Sequence, residues 1–305
     1  MAFEDDIHEI TEHRAEFAED VVERQVSQIE NAVLLGADYL VIAGVDPFAI
    51  SEAVENARAQ GVTIIANDRL IMNTEAVDYY VTFDLFRLGE MQGQFIESEL
   101  GLDSGAQGPF TMEIFSGSPD DPNAQVFYDG QMSVVQKYID SGVLDVVSGQ
   151  VDFGVTATLG WDTGRAQSRM EDLLGAYYTD RAVDVILAAN DSTALGAISA
   201  LSSLGYGSGN RPFPVVTGQD CELTAIKAII AGEQSMSVFL DAKVLAERTL
   251  EVVDALEAGG EPTTVTTFDN NVIDVPTVLY DPVVVTADNW EIVIDRGLYT
   301  EADFQ

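Results

Sequence analysis

The feature that most constrains this chain is a regular alternation of short apolar, β-branched runs with amphipathic segments of helical period. The apolar runs fall at 38–44 (DYLVIAG), 62–67 (VTIIAN), 79–83 (YYVTF), 110–117 (FTMEIFSG), 183–190 (VDVILAAN), 213–220 (FPVVTGQD) and 236–240 (MSVFL). Between them lie helical segments such as 21–36, 50–61 and 222–233. In the first of these, Val22, Val26, Ile29, Val33 and Leu34 are expected to share one face. Gly36, Gly61 and Gly232 stand where helix C-caps are expected. Strands that alternate with helices pair in parallel and carry helices on both faces, so the expected class is α/β. A chain of 305 residues exceeds one small core and fits two domains of ordinary size.

Composition narrows what such a fold can do. Hydrophobic residues make up 47% and charged residues 22%, enough apolar mass for real cores. Asp and Glu total 52 against 14 Lys and Arg, a net charge of -38. Only Lys137, Lys227 and Lys243 are lysines. A chain this acidic repels phosphate backbones, so nucleic acid is excluded as an expected partner. At ordinary ionic strength the same charge destabilises a compact state by self-repulsion. In molar salt the Debye length falls to about 3 Å and the penalty fades, which marks an acidic, lysine-poor surface as halophilic.

Polar residues recur directly after the strand-like runs: Asn67-Asp68-Arg69, Ser118 to Asn123, Asn190-Asp191 and Gln219-Asp220. Open parallel sheets bind ligands outside the carboxyl ends of their strands, so these groups are placed for ligand contact. Each one alone also reads as an ordinary helix N-cap. Catalytic and metal chemistry finds little support. His8 and His13 are the only histidines and neither is near a strand-end serine, while Cys221 stands alone and reads as a small semi-buried side chain. No Cys/His metal spacing, calcium loop or P-loop occurs, and Gly205, Gly207 and Gly209 read as a turn after a helix. No enzyme, metal or cofactor is therefore expected.

Three long runs carry a resemblance: NDRLIMNTEAVDYYVTFDLFRLGEMQGQ (67–94), EIFSGSPDDPNAQVFYDGQM (113–132) and VVTGQDCELTAIKAIIAGEQSMSVF (215–239). They are similar to periplasmic monosaccharide-binding proteins of ABC importers, of the xylose-binding and multiple-sugar-binding type. The likeness runs from about residue 14 to the C-terminus. It implies the type I periplasmic binding protein fold, two Rossmann-like lobes with parallel sheets joined by three hinge crossovers. Mapped onto this chain, the N-terminal lobe is expected at 1–108 plus 241–275 and the C-terminal lobe at 109–240 plus 276–305. The implied function is to close on an aldose such as xylose, glucose, galactose or arabinose, as a monomer, and to deliver it to a membrane permease.

The resemblance also implies the contacts. Asp68 and Arg69 match sugar-binding positions on the first lobe, and Asp121, Asn123, Asn190 and Asp220 match positions on the second. Carboxylates, amides and a guanidinium fork suit hydroxyls that both donate and accept. Trp161, in TLGWDTG, matches an aromatic that stacks on a pyranose face, against the simpler reading of a core tryptophan.

Two departures from the family pattern stand out. Many relatives carry a basic residue just after MSVF, where this chain has Leu240, with Lys243 expected on the following helix. The start, MAFEDDIHEITEH, is acidic and has no apolar signal region. It reads as the remainder of the first helix, with RAEFA (14–18) as the second strand and the central first strand missing, which would leave a gap in the sheet. The full-length form is expected to carry an export signal and to work outside the cytoplasm, touching the membrane only through the permease or a lipid anchor. Two other readings remain at this stage. One is a cytoplasmic sugar-sensing domain of a LacI-type regulator, which shares the fold, and the other is a truncated copy that binds nothing.

Overall fold

The first helix follows its apolar spacing. In the computed structural model, which describes residues 14–209 and 211–305, α1 (Val22–Leu34) buries Ile29 and packs Val22, Val26 and Val33 against a core. Leu34, expected on the same face, is 82% exposed. At about 100° per residue, Val33 returns to within about 20° of Val22, whereas Leu34 lies about 120° away.

Residues 14–18 do not form the expected strand. Their carbonyls turn to the helix that follows: Ala18 accepts the Val21 N–H at 3.1 Å, and Phe17 accepts Gln28 Nε2 at 3.0 Å. The helix expected before them lies outside the described residues. After α1 come β1 (Tyr39–Ile42), α2 (Ser51–Ala59), β2 (Thr63–Asn67) and β3 (Tyr79–Phe83). The next segment carries α3 (Leu85–Glu99), β4 (Phe110–Phe115), α4 (Pro122–Asp140), β5 (Leu144–Val146), the short α5 (Phe153–Thr156) and α6 (Thr163–Tyr177). It continues with β6 (Val185–Ala188), α7 (Asp191–Ser203), β7 (Val215–Val216), α8 (Leu223–Ala231) and β8 (Ser237–Phe239). The chain ends with α9 (Ala242–Glu257), β9 (Thr266–Asp269), β10 (Asp274–Tyr280), β11 (Val283–Val285) and α10 (Ile292–Asp295). Gly36, Gly61 and Gly232, just past α1, α2 and α8, take φ of 85°, 92° and 74°, the left-handed backbone that ends a helix without Cβ strain.

These elements form two compact units, one up to Asp84 with Asp241–Asp281, the other Leu85–Leu240 with Pro282–Gln305. The first unit holds a sheet in the order β1-β2-β3-β10-β9, parallel except for β9. Among the described residues no gap interrupts it, and β1 pairs only with β2, so the sheet has an open edge where a break was expected. The second unit holds a fully parallel sheet, β5-β4-β6-β7, and a separate antiparallel pair, β11 with β8.

Two of the divisions differ from the expected ones. Residues 85–108 belong to the second unit because α3 packs along α4, and because Gln92 donates to the carbonyls of Ala189 and Gly218 at 3.1 and 3.0 Å. Residues 276–281 belong to the first, because Thr277 to Tyr280 of β10 pair with Tyr80 to Phe83 of β3. A helix with buried amides on one sheet, and a strand laddered into another, cannot leave without stranding those groups.

Candidate functional site

The sheet order of the second unit decides where a ligand can sit. From β4 the chain goes to β5 on one side, while β6 and β7 lie on the other. Loops leaving β4 and β6 therefore part company at their carboxyl ends and open a crevice there, the switch point at which parallel sheets bind ligands. Ser116 to Asn123 follow β4, Asn190 follows β6, and Gln219-Asp220 follow β7.

At the β6 loop, Asn190 is the N-cap of α7. Its Oδ1 accepts the Thr193 N–H at 3.0 Å, and the Thr193 hydroxyl lies 3.4 Å from the Asn190 N–H. That is the capping role, and it occupies the oxygen. The amide nitrogen donates to Asp220 Oδ2 at 3.4 Å, while Gln219 Nε2 donates to Asp220 Oδ1 at 3.0 Å. Asp121 is likewise the N-cap of α4, accepting the Asn123 N–H at 3.0 Å, and both Asp121 and Asn123 are buried. Desolvation raises the Asp220 carboxyl, with Glu222 and Asp121 adding repulsion and the two amides opposing it. Asp220 keeps a large part of its surface open, so the burial contribution is partial. The structure thus brings Asn190 and Asp220 into contact and sets Asp121 close enough to Asp220 for their charges to interact.

Trp161 is half-buried, which excludes the simple core reading. Its ring leans on Phe127 with centroids 6.2 Å apart, and it takes φ of 55°, costly for a bulky side chain. On the first unit, Asp68 and Arg69 follow β2 directly. Asp68 has φ of 63°, and its carbonyl accepts the Tyr80 hydroxyl at 2.6 Å. Arg69 Nη1 donates to the Val45 carbonyl at 3.3 Å, which leans the guanidinium on its own unit. Lys243 is in the first turn of α9, as expected.

The polar pair after β6 divides: Asn190 caps α7, while Asp191, expected beside it at the strand end among the ligand-facing groups, lies inside the second unit. Asp191 is fully buried and accepts from Gln234 Nε2 at 2.7 Å, the Glu222 N–H at 2.9 Å and the Ser237 hydroxyl at 3.0 Å. Burial raises its carboxyl well above the ordinary range and Asp220 adds to this, while the three donors oppose both. The same Ser237 oxygen accepts the Cys221 N–H at 3.1 Å. The network braces a loop in which Asp220 and Cys221 take φ of 94° and 53°, two consecutive left-handed residues without glycine. Cys221 is fully buried, and desolvation pushes its thiol up, away from the reactive thiolate. Gln234 and Ser237 gave no sequence signal, because a polar residue beside a short strand reads equally well as surface. Asp191 was read with Asn190 as a strand-end polar group, and its inward turn left no mark in the sequence, because either residue of an adjacent polar pair can be the one that faces inside.

Comparison with known proteins places this geometry in context. A family model described as periplasmic binding protein domain matches residues 5–261. The multiple sugar-binding periplasmic protein SbpA of Azospirillum brasilense is 49% identical over 292 residues, covering 95% of this chain and 82% of the relative. The D-xylose-binding periplasmic protein of Escherichia coli is 38% identical, covering 92% of this chain and 79% of the relative. Among solved structures, an ABC transporter solute-binding protein from Clostridium phytofermentans with bound β-D-glucose superposes with a TM-score of 0.86 at 44% identity, covering 93% of this chain and 87% of that one.

Proposed function

From the premise that this chain belongs to the periplasmic binding protein family, we propose that it binds an aldose and delivers it to the permease of an ABC importer. The relatives named above are sugar-binding periplasmic proteins, which favours this reading over a cytoplasmic regulator and an extracytoplasmic place of work over an internal one. The observation that carries it is the Asn190–Asp220 pair, an amide and a carboxylate joined at 3.4 Å at the strand ends of the second unit. Together they present donor and acceptor atoms to adjacent hydroxyls, which water-facing caps alone would not require.

The assigned contacts are Asp121, Asn123, Trp161, Asn190 and Asp220 on the second unit and Asp68 and Arg69 on the first. Carboxylates accept from sugar hydroxyls, the amides donate and accept, Arg69 donates as a planar fork, and Trp161 covers the apolar face of the ring. A ligand favours the conformation that binds it best, and that population shift is the signal a permease reads. The family binds substrates without transforming them, so no catalytic step is proposed.

Isothermal titration in molar KCl against xylose, glucose, galactose and arabinose tests the reading. Saturable binding of one aldose with one site per chain supports it. A folded protein that binds none of them removes it and favours a copy that no longer binds.

A further inference from the structure

Gly117 is the residue immediately beyond the bridge that Ser116 makes with Ala157 at the end of β4. A β-carbon built there would lie 2.0 Å from Trp161 Cη2, 2.4 Å from Cζ3 and 2.7 Å from Cζ2. Real Cβ atoms do not approach so closely, so the six-membered half of the indole occupies the space that any other residue's side chain would need. Backbone conformation does not demand the glycine, because its φ lies outside the left-handed region. The ring alone demands it.

The surroundings hold the ring in that place. Thr158 donates its N–H to the Ser116 and Gly117 carbonyls, both at 3.1 Å, and Trp161 donates its own to the Thr158 carbonyl at 3.0 Å. Ser118 Oγ accepts the Gly160 N–H at 2.7 Å. Phe127, buried on α4, backs the indole from one side. Gly160 and Trp161 take φ of 70° and 55° to deliver it there. A strained, bulky residue kept half-exposed by this many contacts is being presented rather than stored.

We propose that Gly117 is a positioning residue for ligand recognition: by leaving its β-position empty it lets the Trp161 ring sink onto the β4 end, and so sets the depth of the surface on which an aldose ring stacks. This rests on the sugar-binding reading above. Alanine at this position drives the ring outward by the thickness of a methyl group, into the space the sugar needs.

The test is a double-mutant cycle in affinity, measured by titration with whichever aldose the unmodified protein binds. Gly117→Ala is expected to weaken binding at least tenfold. In a Trp161→Ala background, where affinity is already reduced, the same glycine change is expected to alter it less than twofold. Gly117→Ala combined with Trp161→Phe, whose smaller ring leaves room for the methyl, is expected to recover part of the loss, and it serves as the readout if Gly117→Ala alone fails to fold. Unchanged affinity in Gly117→Ala overturns the inference, and so does an equal loss with and without the indole. Absence of aldose binding in the unmodified protein counts instead against the function proposed above and takes this inference with it.

Discussion

Gly89 and Gly130 meet backbone to backbone where α3 crosses α4. A β-carbon on Gly89 would stand 2.1 Å from the Phe127 carbonyl oxygen, and one on Gly130 2.1 Å from that of Phe86. Neither glycine sits in a left-handed conformation, so both are there to let two helices touch. The close crossing also carries Gln131 Nε2 to within 2.6 Å of Gln92 Oε1, completing a buried amide chain to Ala189 and Gly218. Gly89→Ala or Gly130→Ala is therefore expected to destabilise the protein by about 2–3 kcal/mol or more, through overpacking against backbone that cannot yield. Chemical denaturation in molar KCl measures it, and a change below about 0.5 kcal/mol would show that the helices separate freely.

Ligand affinity should fall steeply when the charged groups proposed to hold the sugar are removed or neutralised. Arg69→Ala removes a planar donor fork, and Asp220→Asn replaces an acceptor that two amides already address. Each is expected to cost about 2–5 kcal/mol in aldose binding, since the partner groups are left unpaired. Titration of each variant decides the matter, and near-original affinity in either removes that residue from the site.

The buried Asp191 gives a pH signature with a definite sign. Its carboxyl is raised in the folded state, mainly by desolvation, so the folded protein holds the proton more tightly than the unfolded chain. Its contribution to stability is therefore fully present below the ordinary carboxylate range and is lost as pH rises through the raised value. Asp191→Asn abolishes this titration. The stability difference between original and variant should shift in the variant's favour as pH increases, read from denaturation curves across acid to neutral pH. A difference independent of pH would mean that the three donors cancel the burial completely.

The opposite sign is expected at Glu97. Its carboxyl is lowered, first by Lys137 at 2.9 Å and then by the Tyr138 hydroxyl at 2.6 Å. That contribution is present above the ordinary Glu range and is lost as pH falls through the lowered value. Lys137 is largely exposed, so solvent screening limits the pair to less than about 1 kcal/mol, and Glu97→Gln should lose no more than that at neutral pH and low salt. A larger loss would show that the pair is shielded from water.

Salt should stabilise the whole molecule. With a net charge of -38, the folded state concentrates repulsion that the unfolded chain spreads out. The thermal midpoint is expected to climb steeply between low and molar KCl. A flat response refutes the halophilic reading.

The strand runs at 62–67 and 79–83 and the helix at 222–233 were legible because each element's period is written locally in its own residues. The capping glycines and the polar groups at strand ends were legible for the same reason. Leu34 escaped because a one-residue phase error at a helix end leaves the apolar count unchanged. RAEFA escaped because a short apolar segment becomes a strand only if a neighbouring edge accepts its hydrogen bonds.

What the sequence by itself determined is the order of elements, the parallel α/β class, the acidity of the chain and the polar residue types that follow the strand ends. What only the tertiary structure decided is who touches whom. It assigned α3 to the second unit through Gly89 and Gly130, sank Asp191 beneath the Asp220 loop, and seated Trp161 on the empty side of Gly117. Those relations join residues tens of positions apart. Nothing local encodes them, because they arise from the close packing of whole elements, in which the absence of a side chain matters as much as its presence.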